Sequence, residues 1–331
     1  ARALLQFVMK VAFVFGAIGA ALLALVFVPQ FGADGIFISV FISISSFCNA
    51  GFDILGRVMP GGSVIPYQSN PYVLAVISLL IISGGLGFLV WQDLSAYHRT
   101  HHLRTHTKLV LWITGWLLLL GTAGILFMEY NNPLTLGPMN LFDKITNAAF
   151  QSVSARTAGY NSIPLGDMTN FTKIFMSLLM FIGAAPGSTG GGVKTTTAAL
   201  LALVVLQVVR GHERITVFKR EISADTARRA VAIVLIAFSA ILIATCAISV
   251  IERGRGHDFL DLLFETTSAF STTGLSSVNT TTLTPASQWL LMPLMYFGRV
   301  GPLTLAYALA NRLESRRANR VHYPEEKIMI G

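Results

Sequence analysis

Long apolar runs alternate along the chain with short polar connections. Residues 4–28, 72–90, 109–128, 230–251 and 289–309 are almost uninterrupted hydrophobic stretches. Each approaches or exceeds the roughly 20 residues that carry a helix across the hydrocarbon core of a bilayer. A sixth run, 171–209, is 39 residues long, about 58 Å if it were one straight helix, and too long for a single crossing. It is interrupted by Gly183-Ala184-Ala185-Pro186-Gly187-Ser188-Thr189-Gly190-Gly191-Gly192. So many glycines, with a proline among them, do not hold a helix. Non-helical backbone at membrane depth is tolerated only against protein or a water-filled cavity. The pattern predicts an all-α membrane protein.

Between the long runs lie three shorter apolar segments, 36–47, 139–153 and 259–270. Twelve helical residues rise about 18 Å, well short of the roughly 30 Å core, so each segment must enter the membrane and turn back. The turns that follow are alike: Ser46-Phe47-Cys48-Asn49-Ala50-Gly51-Phe52, Ser154-Ala155-Arg156-Thr157-Ala158-Gly159-Tyr160 and Ala269-Phe270-Ser271-Thr272-Thr273-Gly274-Leu275. Their glycines are 108 and 115 positions apart. The chain therefore divides into helix–pore-loop–helix units at 1–97, 98–210 and 211–312, with a tail at 313–331. All three units share one orientation, because each adds two crossings and one re-entrant hairpin. Glycine permits positive φ and lets backbone approach closely. Several such turns around one axis would present rings of C=O dipoles, the means by which a potassium-type filter replaces an ion's hydration shell. The C-terminal ends of the short helices add partial negative charge. The pattern points to a central pathway for a monovalent cation, lined by backbone and needing no carboxylates in the turns.

Composition and charge narrow this reading. Hydrophobic residues make up 53% of the chain and charged residues 12%, against about 25% charged in soluble domains, which excludes a soluble protein. The net charge of +8 is unevenly placed. Of 24 Lys and Arg, 16 fall on one side of the alternating topology, chiefly in 98–108, 210–229 and 312–327, and five on the other. The positive-inside bias accounts for this without nucleic acid. It makes the basic loops and the C-terminus cytosolic in a multi-pass plasma-membrane protein, and the hairpins enter from outside. His98, His101, His102 and His106 lie in a basic loop without carboxylates and read as solvated rather than as a metal site. Cys48 and Cys246 lack both disulfide-framework and metal-ligand spacing. Residues 187–195 nearly spell a phosphate-binding loop, but Val193 separates Gly192 from Lys194 and no strand precedes them. No grouping of nucleophile, base or paired carboxylates suggests an enzyme. The remaining three basic residues, Arg156, Lys194 and Arg299, are inside the membrane, where charges face a cavity or a partner. Arg156 is expected to point behind the turns, with Glu265 as partner. Lys194 either snorkels to the cytosolic side or acts at the break.

The hairpin units and their single-glycine turns resemble the Trk/Ktr/HKT superfamily of potassium transporters. Together with the tail His322-Tyr323-Pro324-Glu325-Glu326-Lys327, the loops are most similar to the membrane subunit of bacterial Ktr. The resemblance is most specific in 154–162, 180–197 and 297–304. It implies filter carbonyls from Cys48, Asn49, Ala50 and Gly51, from Arg156, Thr157, Ala158 and Gly159, and from Ser271, Thr272, Thr273 and Gly274. It further implies a gate formed by Gly183, Pro186, Gly187, Ser188, Thr189, Gly190, Gly191, Gly192 and Lys194, with Arg299 helping to close it. The transported ion would be K+, or Na+, at filter carbonyls, with no cofactor in the chain itself. The implied partners are a second copy in a homodimer, membrane lipid, and an RCK-like cytosolic nucleotide-binding ring through which alone nucleotide would act. The superfamily has four pseudo-fourfold units and this sequence shows three, so the first is expected to be missing. A coupled secondary cation transporter and a non-conducting membrane scaffold are the alternatives, though transporter repeats are often inverted and these are parallel.

Overall fold

A computed structural model describes residues 2–57, 62–211, 215–218 and 220–301. The expected tail at 313–331 and the end of the last apolar run lie outside the described residues. The first unit opens with helix α1 (Arg2–Phe31). The chain then reverses at Gly32, whose φ is 60°, into the short helix α2 (Ala33–Phe47). Here only a glycine fits at position 35, since a Cβ would collide with the Phe27 carbonyl. Helix α3 (Pro71–Gly85) starts with Pro71 in its first turn and with Asn70 accepting the Val73 N–H at its N-cap, the arrangement that satisfies an otherwise orphaned donor. Helix α4 (Phe88–Thr100) follows.

The 72–90 run, read above as one crossing, is broken. Helices α3 and α4 meet at 93°, turning on Gly87 with φ 88°. The cause is tertiary: the Phe88 N–H donates to the Gly187 carbonyl at 3.0 Å, and the Gly85 carbonyl accepts from Ala185 N–H at 3.0 Å. The glycine-rich break of the second unit is wedged into this bend.

The second unit comprises α5 (Thr105–Glu129), α6 (Leu141–Ser154), α7 (Asn170–Phe181) and α8 (Thr195–Val209). The third comprises α9 (Ala224–Ile251), α10 (Phe259–Ser271) and α11 (Pro285–Val300). Between α8 and α9 lies a small antiparallel hairpin, β1 (Ile215–Val217) with β2 (Arg220–Ile222), paired Thr216 to Glu221. It is the only sheet among the described residues and leaves the architecture helical. Among the described residues, α1 from Leu5, α5 and α9 are long and apolar enough to cross a membrane singly. Large side chains on them, including Phe13 and Phe127, are exposed, as helices facing lipid require.

Each short helix packs against the long helix that precedes it in its own unit, and α6 and α10 also pack against the preceding unit, on α3 and α7. The first core joins Phe27, Ile42 and Ile77 to Phe150, Val153 and Tyr160 of the second unit. The second joins Ile125, Leu136 and Met176 to Phe264 and Leu275 of the third. A polar clasp recurs where the long helices return. Glu129, ending α5, accepts from the N–H and hydroxyl of Thr169 at 3.0 and 2.9 Å and from the Thr172 hydroxyl. Glu252, just past α9, accepts from the N–H and hydroxyl of Thr284 at 2.8 and 2.6 Å and from Ser287. In both, a buried carboxylate caps the helix that leaves the hairpin.

Candidate functional site

The three short helices end at the three glycine turns, and the turns share one backbone conformation. Gly51, Gly159 and Gly274 have φ of 66°, 88° and 89°. The residue two before each is also left-handed: Asn49 at 50°, Thr157 at 74° and Thr272 at 53°. Non-glycine residues adopt this region only where their surroundings over-determine it. Its recurrence at one register fixes the direction of the intervening carbonyls in all three turns.

The turns meet. A Cβ on Gly51 would collide with the Ala158 carbonyl and approach the Gly159 Cα to 2.9 Å. A Cβ on Gly159 would collide with the Thr273 carbonyl and stand 3.4 Å from the Gly51 Cα. The Asn49 amide and Thr157 hydroxyl are 3.3 Å apart and link the first two turns. Between the third turn and the first lies instead a cavity of about 390 Å³, lined by Ala50 and Phe52 on one side and by Thr272, Thr273, Gly274 and Glu265 on the other. The hydroxyls of Ser271, Thr272 and Thr273 are buried without a partner.

The glycine-rich break crosses the underside of these turns. Ile182 and Val193 pair across its base, with Gly183 N–H donating to the Val193 carbonyl at 2.9 Å. From there the loop touches each turn in order. The Thr189 hydroxyl donates to the Phe47 carbonyl at 3.3 Å. Gly190 sits against the Thr157 hydroxyl and Gly191 against the Thr272 hydroxyl, each too close to admit a Cβ. Pro186 presents its carbonyl 2.7 Å from where a Cβ on Gly87 would stand, and the Ser188 hydroxyl donates to Ala185. Lys194 does not snorkel: its Nζ donates to the Gly190 carbonyl at 2.7 Å. The Arg299 guanidinium donates to the Thr189 carbonyl. Two cations from α8's start and α11's end thus hold the carbonyls of neighbouring loop residues. Gly84 and Gly298 make room for this layer, lying against the Phe47 and Phe270 carbonyls, each four residues before a turn glycine.

Arg156 is 7% exposed. It borders a small pocket shared with Ile81, Ile82, Gly85, Thr114, Leu118 and Val153, behind the turns. The expected pairing with Glu265 is not formed. Glu265 accepts from Ser276 at 2.7 Å and from Thr280, hydroxyls of its own unit, while Arg156 Nε is buried without a partner. The error came from matching opposite charges at membrane depth without the local Ser and Thr that already satisfied the acid. Among the described residues no group of three or more His, Cys, Asp or Glu is placed to hold a metal, and Cys48 and Cys246 are free.

On the far side of the glycines an open cavity of about 500 Å³ is lined by Gly51, Gly159 and Gly274, and by Asp53, Asn161 and Ser276. The break thus touches the beginning of each turn and this cavity its end. The last three residues each stand two positions after a turn glycine. The sequence reading passed over them, although a polar residue at that offset in every repeat was the available signal.

Comparison with known proteins places these features among relatives. Residues 2–321 match the TrkH family, described as cation transport protein. The chain is 39% identical over 332 residues to the potassium/sodium uptake protein NtpJ of Enterococcus hirae, covering 99% of this chain and 72% of the relative. It is 35% identical over 315 residues to the Ktr system potassium uptake protein B of Bacillus subtilis, covering 95% and 68%. The crystal structure of the potassium transporter TrkH from Vibrio parahaemolyticus is similar in fold, with a TM-score of 0.68 at 16% identity, over 93% of this chain and 63% of that one.

Proposed function

This chain belongs to the TrkH family of cation transport proteins, and on that premise we propose that it takes up K+ through a channel-like pore. In this reading the filter is built by the backbone carbonyls of Cys48–Gly51, Arg156–Gly159 and Ser271–Gly274. The observation that carries it is the shared conformation of the turns: two left-handed residues at one register in each, with Gly51 and Gly274 both lying against Gly159. Carbonyl dipoles fixed around an axis exchange for an ion's hydration shell without a net charge to trap it. Buried hydroxyls without partners in the third turn support a path for ions or water there. One glycine per turn suggests fewer ion sites than a multi-glycine filter. The relatives' names, potassium for one and potassium/sodium for another, fit K+ as the main cargo with Na+ as competitor.

The glycine-rich break is the gate in this proposal, closed when Arg299 and Lys194 hold the carbonyls of Thr189 and Gly190 beneath the turns. The turns open to the outside of the plasma membrane and the basic loops lie inside. A second copy in a homodimer and an RCK-like nucleotide-binding ring remain the proposed partners, the ring docking where α4 meets α5 and α8 meets α9. Because Phe88 bonds to Gly187, movement of α4 would reach the gate directly. The test is flux in proteoliposomes under a K+ gradient alone. Net K+ movement without any coupled solute supports the pore. Movement only with a second ion's gradient supports a coupled carrier instead, and none at all a scaffold.

A further inference from the structure

The open cavity beyond the three glycines carries one formal charge. Its lining side chains are otherwise apolar, hydroxyl or amide, and no Lys, Arg or His is among them. That charge is Asp53, which occupies the position filled by Asn161 and Ser276 in the other two turns. Three equivalent sites therefore face one cavity, and only the first carries an acidic side chain.

The Asp53 carboxylate is held in place. One oxygen accepts from the Leu55 N–H at 2.7 Å and the other from the Ser63 N–H at 3.3 Å. Ser63 in turn accepts, through its hydroxyl, from the Asn161 N–H at 3.3 Å, which ties the acid to the second turn. Asp53 is solvent-exposed, and none of the ion pairs among the described residues involves it. Backbone donors orient the carboxylate without neutralising it, and the low-dielectric walls of a cleft concentrate its field.

We propose that Asp53 is the capture residue of the entrance, drawing a hydrated monovalent cation into the cavity and holding it beside Gly51 until the turn carbonyls replace its water. The proposal rests on the pore reading above. An attraction spent at entry acts on the concentration needed for half-maximal flux. It does not act on the rate of an ion already between the carbonyls.

The test is K+ flux in proteoliposomes, with wild type, Asp53→Asn and Asp53→Glu compared at low and high concentrations of an impermeant salt. Asparagine keeps the acceptor facing Leu55 and removes the charge. Asp53→Asn is expected to raise KM about threefold to tenfold, the effect of one charge at a few ångströms in a solvated cleft, with kcat lowered less than about twofold. The difference narrows as the impermeant salt screens the field, and Asp53→Glu returns KM toward wild type. An unchanged KM in Asp53→Asn would overturn the proposal. So would a fall in kcat shared by both variants, which would mark Asp53 as a loop-capping residue only. A wild type that passes no K+ overturns the pore reading itself, and the two failures are thereby distinct.

Discussion

Arg299 shows how much rests on single hydrogen bonds at this site. Its guanidinium donates to the Thr189 carbonyl, and Thr189 in turn reaches the carbonyl that ends α2. A hydrogen bond from a charged group is worth about 1.5–3 kcal/mol, so Arg299→Ala is expected to shift the closed–open balance by about tenfold or more. Resting flux in a well-expressed variant should rise accordingly, and unchanged or reduced flux would count against a closing role. Glu252 makes a separate prediction about stability. Burial pushes its carboxyl up, but hydrogen bonds from Ser287 and Thr284 and the nearby Arg255 outweigh it and hold the pKa below the usual range. A depressed carboxylate stabilises the fold above its unfolded value and loses that contribution as pH falls through the folded one. Glu252→Gln should lower the melting temperature at pH 7, by on the order of 2 kcal/mol in stability. The gap to wild type should close as pH drops below about 4; a gap that persists there would show a steric effect rather than a charge-dependent one.

At the scale of elements, the short helices were legible in the sequence because a 12-residue apolar segment cannot span a bilayer. They run Ala33–Phe47, Leu141–Ser154 and Phe259–Ser271, close to the segments read from the pattern. The break after α7 was equally plain from its glycines. The bend between α3 and α4 was not. Residues 72–90 read as one apolar run, with Gly84, Gly85 and Gly87 inside it. Their reason lies 100 residues on in the chain, in the carbonyls and amides of the break that pack against them. The Arg156–Glu265 pairing failed for a related cause, since the partners of Glu265 are hydroxyls whose approach only the folded hairpin creates. Deleting 187–191 removes the loop that bonds α4 and lies beneath all three turns. The expected outcome is higher unregulated uptake in transport-deficient cells, while normal and fully regulated uptake would rule the loop out as a gate.

Across the whole molecule, one device recurs in register. A short helix ends, two left-handed residues turn the chain, and a polar residue follows into the outer cavity; under the first and third turns a glycine on another helix makes room beneath. The repeat was readable from glycine spacing alone, but its meaning was not, because the approach of Gly51 and Gly274 to Gly159 depends on how the cores interlock. The first two cores borrow aromatic side chains from the following unit, so the turns are held by packing across the unit boundaries. The most direct measurement is the K+ to Na+ flux ratio in proteoliposomes for wild type and for Gly51→Ser, Gly159→Ser and Gly274→Ser. A side chain at these positive φ values of 66° to 89° strains the turn and at Gly51 or Gly159 strikes a neighbouring carbonyl. Every substitution should therefore reduce discrimination for K+ by about tenfold or more, the consequence of misplacing carbonyls by fractions of an ångström. Three variants that fold, reach the membrane and keep the wild-type ratio would contradict the filter.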